Sequence, residues 1–389
     1  MEPTIPFNRP FVAGKELFYI AQAVLGGQLA AGGTFTRQCE QWMEEHFGAN
    51  RVLLTHSCTA ALEMAALMAD LEPGDEVIVP SFTFVSTASA FALRGATLRF
   101  VDIEPETLAL DPEAVERAIN PRTRVIVPVH YAGVAADMEA LLDIARRHDL
   151  LVVEDAAQAV NATYKGQALG TFGHLGCYSF HETKNFIAGE GGALAINDER
   201  LVSRAEVILH KGTNRKSFDR GEVDRYTWVG MGSSFGPSEL TAAFLFAQLE
   251  ESEAITRRRR ALWNGYHTAF ASLEEVGLLR RPIVPPHARH NAHMYYLILP
   301  TAAARDELIQ RLRQLEIRSV FHYVPLHDSP MGRVLGTADD DLPVTTDLSA
   351  RLVRLPCYFG QTAEEQERVV VGVEDALAEM TSLHTARGV

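Results

Sequence analysis

The chain has 389 residues, 47% of them hydrophobic and 22% charged, with 36 basic against 50 acidic side chains and a formal net charge of -14. That balance excludes nucleic acid or an anionic membrane as a general partner, and an anionic small substrate needs a local basic patch. The length exceeds what one hydrophobic core supports, so two domains are expected, 1–250 and 251–389.

The first segment predicts a helix from Gly14 to about Leu25. A glycine turn follows, and Phe35, Trp42, Met43 and Phe47 recur at helical intervals, with Thr34 as the expected cap. Val52 to Thr55 reads as a strand and Ala60 to Leu67 as an alanine-rich helix. Between them lies His56-Ser57-Cys58-Thr59. A turn of small hydroxyl residues opening a helix has two readings, an anion site at the helix N-terminus or plain capping.

Strand patterns then recur at Val77 to Pro80, Leu98 to Asp102, Val125 to Val129 and Leu150 to Glu154. Helical patterns alternate with them: Phe84 through Leu93, Asp111 to Ile119 with Pro112 at its first position, and Asp137 to His148. Such alternation predicts an α/β fold, an open, mostly parallel sheet covered on both faces. Ligands of such sheets sit beyond the carboxyl ends of the strands, where Thr55, Phe84 and Asp155 fall. No GxGxxG follows the first strand and no GxxxxGK[ST] occurs, which weighs against a nicotinamide or P-loop nucleotide site.

Lys184 stands between an apolar run, Gly176 to Phe180, and the turn Gly189-Glu190-Gly191-Gly192. By itself it reads as a solvated loop lysine. In a half-buried setting its pKa would fall and it would be able to form a Schiff base. Gly212 to Phe235 is a basic, glycine-rich loop with Arg215, Lys216, Arg220 and Arg225; it reads equally as a clamp for a phosphorylated ligand and as a solvated loop.

Ser238 to Leu249 predicts a helix, continuing as a second long helix to Leu273 whose run Arg257–Arg260 is expected to be a solvated face. Beyond it come a strand from His293 to Pro300, a helix from Ala303 to Leu315, a strand from Ile317 to Val324, an acidic loop at Asp339-Asp340-Asp341 and a helix from Thr362 to Met380. This part reads as a small α+β domain, and the end from about Thr381 as a frayed tail. Cys39, Cys58, Cys177 and Cys357 have neither CxxC nor zinc spacing, so no metal is expected and the thiols read as reduced and cytoplasmic. There is no secretory signal pattern and no apolar run of membrane length.

Lys184, Asp155, the Ser57-Cys58-Thr59 turn, Ser179 and Phe84 together match what pyridoxal 5'-phosphate (PLP) requires: a Schiff-base lysine, a carboxylate for the pyridine nitrogen, phosphate donors and a flat apolar face. Val153-Glu154-Asp155-Ala156-Ala157-Gln158-Ala159, then Phe180-His181-Glu182-Thr183-Lys184-Asn185 and Gly189-Glu190-Gly191-Gly192, resemble the sugar-nucleotide aminotransferases of PLP fold type I. Val77 to Phe84, Pro128 to Gly133 and Tyr323-Val324-Pro325-Leu326-His327 extend the resemblance over nearly the whole chain. Within the family, Leu53 to Thr55, Ser57 to Ala60, His181 to Asn185, Lys211-Gly212-Thr213-Asn214-Arg215 and Asn291 to Met294 are most similar to the TDP-4-amino-4,6-dideoxygalactose transaminases of enterobacterial common antigen synthesis.

The resemblance implies a large domain built on a mostly parallel mixed sheet and a smaller C-terminal domain. It implies that Lys184 carries the cofactor and shuttles a proton, Asp155 pairs with the pyridine nitrogen, and Gln158 lies near the ring. It gives Ser57, Cys58, Thr59 and Ser179 to the phosphate and Phe84 to the ring face. Tyr323 and His327 face the sugar, and Arg215, Arg220 and Arg225 belong to a loop reaching a neighbouring subunit of a homodimer. The expected substrates are L-glutamate and TDP-4-keto-6-deoxy-D-glucose. Two departures stand out: Cys58 where glycine is usual, and Ser234 where the family has an asparagine that contacts the partner's phosphate.

Overall fold

The computed structural model describes residues 3–338 and 341–387. Seven strands of the main sheet come first in the chain: β1 (Arg51–Thr55), β2 (Glu76–Pro80), β3 (Thr97–Val101), β4 (Thr123–Ile126), β5 (Leu151–Asp155), β6 (Leu175–Ser179) and β7 (Gly192–Ile196). Their order across the sheet is β1-β7-β6-β5-β4-β2-β3, and Gly336–Ala338 adds a parallel edge strand to β3. β7 is antiparallel to both neighbours, β1 and β6; the other pairings are parallel.

Period-two alternation explains why both faces are covered. Val52, Leu54, Ile78, Ile126, Val152 and Tyr178 enter one core, while Leu53, Val77, Val79, Val125, Val153 and Cys177 enter the other. Helices α1 (Glu16–Leu25) and α2 (Thr34–Phe47) pack on the first face, and α3 (Cys58–Met68) and α4 (Val85–Ala92) on the second. The expected cap Thr34 lies inside α2, behind Gly33 as N-cap. The helix start is instead satisfied by a distant carboxylate: Glu239 accepts from the N–H groups of Gly33 (2.9 Å), Phe35 (2.8 Å) and Thr36 (3.0 Å).

α5 (Pro112–Ala118), α6 (Met138–His148) and α7 (Val202–Leu209) complete the crossovers. α8 (Glu239–Glu250) and α9 (Ser252–Ala269) are two helices, because the chain turns at Glu251 (φ -98°, ψ 12°). The turn lets α8 pack on α1 and α2 while α9 enters another core with Leu262, Trp263 and Tyr266. That third core joins Tyr295, Leu297, Leu308, Leu312, Val353, Val369 and Val373, with Ile5 from the start of the chain. A fourth cluster, holding Phe82, Tyr131, Met294, Tyr296 and Leu348, links it to the sheet.

Three expectations fail here. The strand expected over Ile317–Val324 is only two isolated bridges, Ile317 to Ile5 and Val320 to Arg354; the partner of Tyr295–Ile298 is Leu352–Leu355. Tyr323, with φ 31°, leaves the extended region altogether. The Arg257–Arg260 run is not a solvated face: Arg259 is buried. It donates to the carbonyls of Ala292 (3.1 Å), His293 (2.6 Å) and Cys357 (3.0 Å). The tail expected to fray continues a helix, Ala363–Arg387. Asp339 and Asp340 of the acidic loop lie outside the described residues.

Arg259→Ala is expected to destabilise the protein by about 3 kcal/mol or more, because three carbonyls lose a charged donor. Arg257→Ala, at an exposed site, is expected to stay within about 0.5 kcal/mol. Chemical denaturation compares the two; equal midpoints would show that Arg259 does not hold the segments together.

Candidate active site

The sheet register assembles the site. Gly192, the first residue of β7, pairs with Thr55 on one side and Ser179 on the other. A Cβ at Gly192 would collide with the Ser57 carbonyl carbon and the Cys58 nitrogen, so only glycine admits this approach. On the next strand over, Asp155 pairs with Cys177. The ends of β1, β6 and β5 and the start of β7 thus meet at one edge.

The turn at α3 presents free donors. Ser57 is the N-cap, its Oγ accepting from Ala60 N (3.1 Å), while Thr55 Oγ1 donates to the Ser57 carbonyl (2.7 Å). Cys58 N and Thr59 N make no hydrogen bond among the described residues, as the first turn of a helix dictates. Thr59 Oγ1 shares a 2.8 Å bond with Ser86 Oγ on α4. Burial holds the Cys58 thiol well above its usual pKa, so it stays neutral there.

Asp155 is buried and oriented from two sides. Its Oδ2 accepts from Thr87 Oγ1 (2.6 Å) and its Oδ1 from Ala157 N (3.1 Å); Thr87 is in turn bonded to Thr83 (2.8 Å). Thr87 was not singled out from the sequence, since nothing local links it to a residue 68 positions away. The neighbouring Glu154 points to the opposite face, accepting from Gly170, Phe172 and Gly173 and bonding His130 (2.8 Å). It holds the turn between β5 and β6.

Lys184 sits on the hairpin joining β6 to β7. That hairpin is closed by Phe180 N to Gly191 O (2.8 Å) and Glu182 N to Gly189 O (2.9 Å). Lys184 is half-buried, with no side-chain hydrogen bond and no carboxylate at ion-pair distance among the described residues. Desolvation lowers its pKa, and the fields of Cys58 and Asp155 only partly oppose this. Next to it Asn185 donates to Asn291 O (2.9 Å) and bonds His293 (3.1 Å), and Asn291 donates to the carbonyls of Gln158 and Val160 (2.8 Å each). This amide relay ties the lysine hairpin to the third core.

Gln158 accepts from Ala132 N (2.7 Å) and donates to Tyr323 Oη (3.0 Å). His327 is held by Ser81, Nδ1 to Oγ at 2.6 Å. Phe84, at the N-cap of α4, is 56% exposed, its ring centroid 6.4 Å from that of Tyr323. Ser179 is buried at the end of β6. Ser57, Cys58, Thr59, Phe84, Asp155, Gln158, Ser179, Lys184, Tyr323 and His327 therefore gather at one edge.

The basic loop does not join them within this chain. Arg215 and Ser234 line a separate cavity of about 410 Å³ with Lys211, Lys216 and Ser238, and neither Lys184 nor Asp155 borders it. Ser234 still lies close to the turn, since the following Phe235 carbonyl accepts from His56 N (2.8 Å). Arg220 is no free anion ligand: its guanidinium is engaged by Glu206 (2.8 Å) and Glu222 (2.6 Å). Arg225 is exposed and carries no ion pair among the described residues.

Residues 12–374 match the DegT/DnrJ/EryC1/StrS aminotransferase family. The chain belongs to that family. It is an aminotransferase with a fold type I architecture. It is 33% identical over 379 residues, 95% of this chain and 96% of the relative, to the spore coat polysaccharide biosynthesis protein SpsC of Bacillus subtilis. The aminotransferase TlmJ of Streptoalloteichus hindustanus superposes with a TM-score of 0.88 at 28% identity, covering 98% of this chain and 100% of that one. Spr1654 of Streptococcus pneumoniae, solved in a PLP form, has a TM-score of 0.89 at 24% identity, over 97% and 99% of the two chains, and shares the fold.

The residues of this family member fit PLP. Two helix N–H groups without acceptors and a hydroxyl-lined turn suit a phosphate. A buried carboxylate is held rigid, a poorly solvated lysine has no partner among the described residues, and Phe84 offers an exposed aromatic face at the N-cap of α4. Among the described residues no cluster of His, Cys, Asp or Glu could hold a metal ion, and no helix is long and apolar enough to cross a membrane.

The lowered pKa of Lys184 has a definite sign. Its charged form is disfavoured in the fold, so the penalty is full below its folded pKa and fades as pH rises toward the ordinary 10.5. In cofactor-free protein, Lys184 should therefore acylate with a pH midpoint below that of exposed Lys15, whose pKa the Glu250 carboxylate raises. Peptide mapping of an amine-reactive label across pH 6–11 (a range of about five units spanning ordinary lysine titration) measures this. A shared midpoint would remove the desolvation argument.

Proposed function

We propose that this aminotransferase takes the amino group of L-glutamate and delivers it to C4 of TDP-4-keto-6-deoxy-D-glucose. The products are 2-oxoglutarate and TDP-4-amino-4,6-dideoxy-D-galactose, a sugar of the kind used in enterobacterial common antigen. The observation that carries the reading is the meeting of an unpaired, desolvated Lys184, a rigidly held Asp155 and the open N-terminus of α3 at one edge of the sheet. The choice of sugar rests on the resemblance of residues 53–60, 181–185, 211–215 and 291–294.

PLP is the cofactor, and when bound it supplies an electron sink for the carbon that loses or gains a proton. Each protein group has a task around it. The N–H groups of Cys58 and Thr59, with the hydroxyls of Ser57, Thr59 and Ser179, hold the phosphate. Asp155 keeps a proton on the pyridine nitrogen, and Thr87 with Ala157 N fixes the direction of that bond. Phe84 would cover one ring face, and Gln158, held by Ala132 N and Tyr323, would stand near the ring. Lys184 removes the proton from the donor's Cα and later gives one to sugar C4, and its lowered pKa favours the neutral amine that takes the proton. Tyr323 and His327 face the sugar. Arg215, Arg225 and Ser234 serve a second subunit of a homodimer, and Arg220 supports their loop through Glu206. The cofactor-binding unit is 1–250 and the smaller unit 251–389, working in the cytoplasm.

A related reading is another keto-sugar of a polysaccharide precursor, favoured by the likeness to SpsC. Mass spectrometry of a nucleotide-sugar and amino-donor panel decides between them. Lys184→Ala should abolish the absorbance of lysine-bound cofactor, and Asp155→Asn should retain cofactor yet lose about 10²-fold or more in turnover. Equal turnover in Asp155→Asn would defeat the electron-sink role. Arg225→Ala is expected to raise the KM for the sugar nucleotide more than that for glutamate, and steady-state kinetics with each substrate varied will show whether it does.

A further inference from the structure

The donors at the open end of α3 are neutral. They are the N–H groups of Cys58 and Thr59 and the hydroxyls of Ser57, Thr59 and Ser179, and burial keeps the Cys58 thiol uncharged. A phosphate ester brings about -1.5 to -2 charge at pH 7, against roughly +0.5 at a helix N-terminus. Among the described residues no Lys or Arg side chain hydrogen-bonds to Ser57, Thr59 or Ser179. Arg220 is engaged by Glu206 and Glu222, and Lys211, Arg215 and Lys216 line the separate cavity. Lys184, on the proposed reading, is taken by the cofactor's carbonyl. A dianion seated at this turn is short of positive charge.

His56 stands where that charge is missing. It follows the last residue of β1 and precedes the N-cap Ser57. Its backbone is fixed by the bond from its N–H to the Phe235 carbonyl (2.8 Å). Its ring lies nearly parallel to that of Phe235, at 21° with centroids 6.4 Å apart. Ring Nδ1 is 3.4 Å from Ser57 Oγ; the side chain is exposed and carries no ion pair among the described residues. Ser57 Oγ already accepts from Ala60 N (3.1 Å). A proton on His56 Nδ1 fills the second lone pair of that hydroxyl and leaves it only its own hydrogen to give. An anion beside an imidazole favours the protonated ring, so a bound phosphate draws the proton it needs.

We propose that His56, as imidazolium, is the cationic partner of the cofactor phosphate, offsetting its charge and turning the Ser57 hydroxyl toward it. The assignment rests on seating the phosphate at Ser57–Thr59 in the proposed function, and it adds the charge which that seat lacks. It gives His56 a task that plain turn chemistry does not require, since the N-cap bond to Ala60 is made by Ser57 alone. It also explains why an exposed ring is kept close to Ser57: the Phe235 carbonyl fixes the His56 backbone, and with it the approach of the ring to the turn.

The test titrates cofactor-free protein with PLP and with pyridoxal, which share the ring and the reactive carbonyl but differ in the phosphate. Absorbance of the lysine-bound form gives a dissociation constant for each, and the ratio of the two isolates the phosphate. His56→Asn should weaken PLP about 10-fold and leave pyridoxal unchanged. His56→Arg, a permanent cation, should recover part of that loss. His56→Gln replaces the asparagine variant if the latter does not fold. Equal weakening of PLP and pyridoxal overturns the assignment, since a merely structural role through Phe235 would act on both. An arginine variant no better than the asparagine one overturns the role of charge. Thr59→Ala separates the two readings. If it lowers the ratio while His56→Asn does not, the phosphate sits at the turn and the His56 assignment alone falls. If neither variant changes the ratio, the seat at Ser57–Thr59 falls and this assignment with it.

Discussion

The approach of Gly192 to the Ser57–Cys58 turn is the constraint on which the site depends. It seats the reversed strand β7 between β1 and β6, so that the open end of α3 faces the hairpin carrying Lys184. A side chain at Gly192 would push the turn and hairpin apart. The parallel partner β5 then brings Asp155 to the same edge, and the rest of the sheet serves to hold that register. Close packing transmits any shift there directly to the lysine.

The electrostatics of the site run opposite to those of the molecule. The chain is acidic overall, yet the edge holds Lys184 with Asp155 as the nearby carboxylate, and two histidines, His293 and His322, kept neutral by burial. Thr87 and Ala157 N spend both Asp155 oxygens on orientation, so the carboxylate is not drawn into an ion pair with Lys184. That separation leaves the amine unpartnered, which is the state a nucleophile and proton carrier requires. The third core contributes through backbone as much as through side chains. Arg259 and Asn291 clamp the segment that places His293 against Asn185, the residue next to the lysine.

The legible parts of this protein were local ones. Lys184 was visible by its apolar run and glycine turn, Ser57–Thr59 by small hydroxyl residues opening a helix, and Asp155 by ending a buried strand pattern. Residues whose meaning lies in a distant partner were not legible. Thr87 looks like any threonine in a short helix, and Arg259 like one charge in a basic run, until the fold sets them against Asp155 and three carbonyls. The same holds for elements. Ile317–Val324 has a strand's composition, but Leu352–Leu355 took the available pairing edge beside Tyr295–Ile298.

By itself the sequence determined the α/β alternation and the family resemblance, and it singled out the lysine, carboxylate and turn as candidates, because periodicity and short motifs act over a few residues. Tertiary structure alone decided which charges are free. It paired Arg220 with Glu206 and Glu222, sank Arg259 among carbonyls, and left the buried Nε of Arg354 without a partner among the described residues. All three read alike in the chain. Their difference is one of desolvation and partner, and both are set by contacts between residues far apart in sequence.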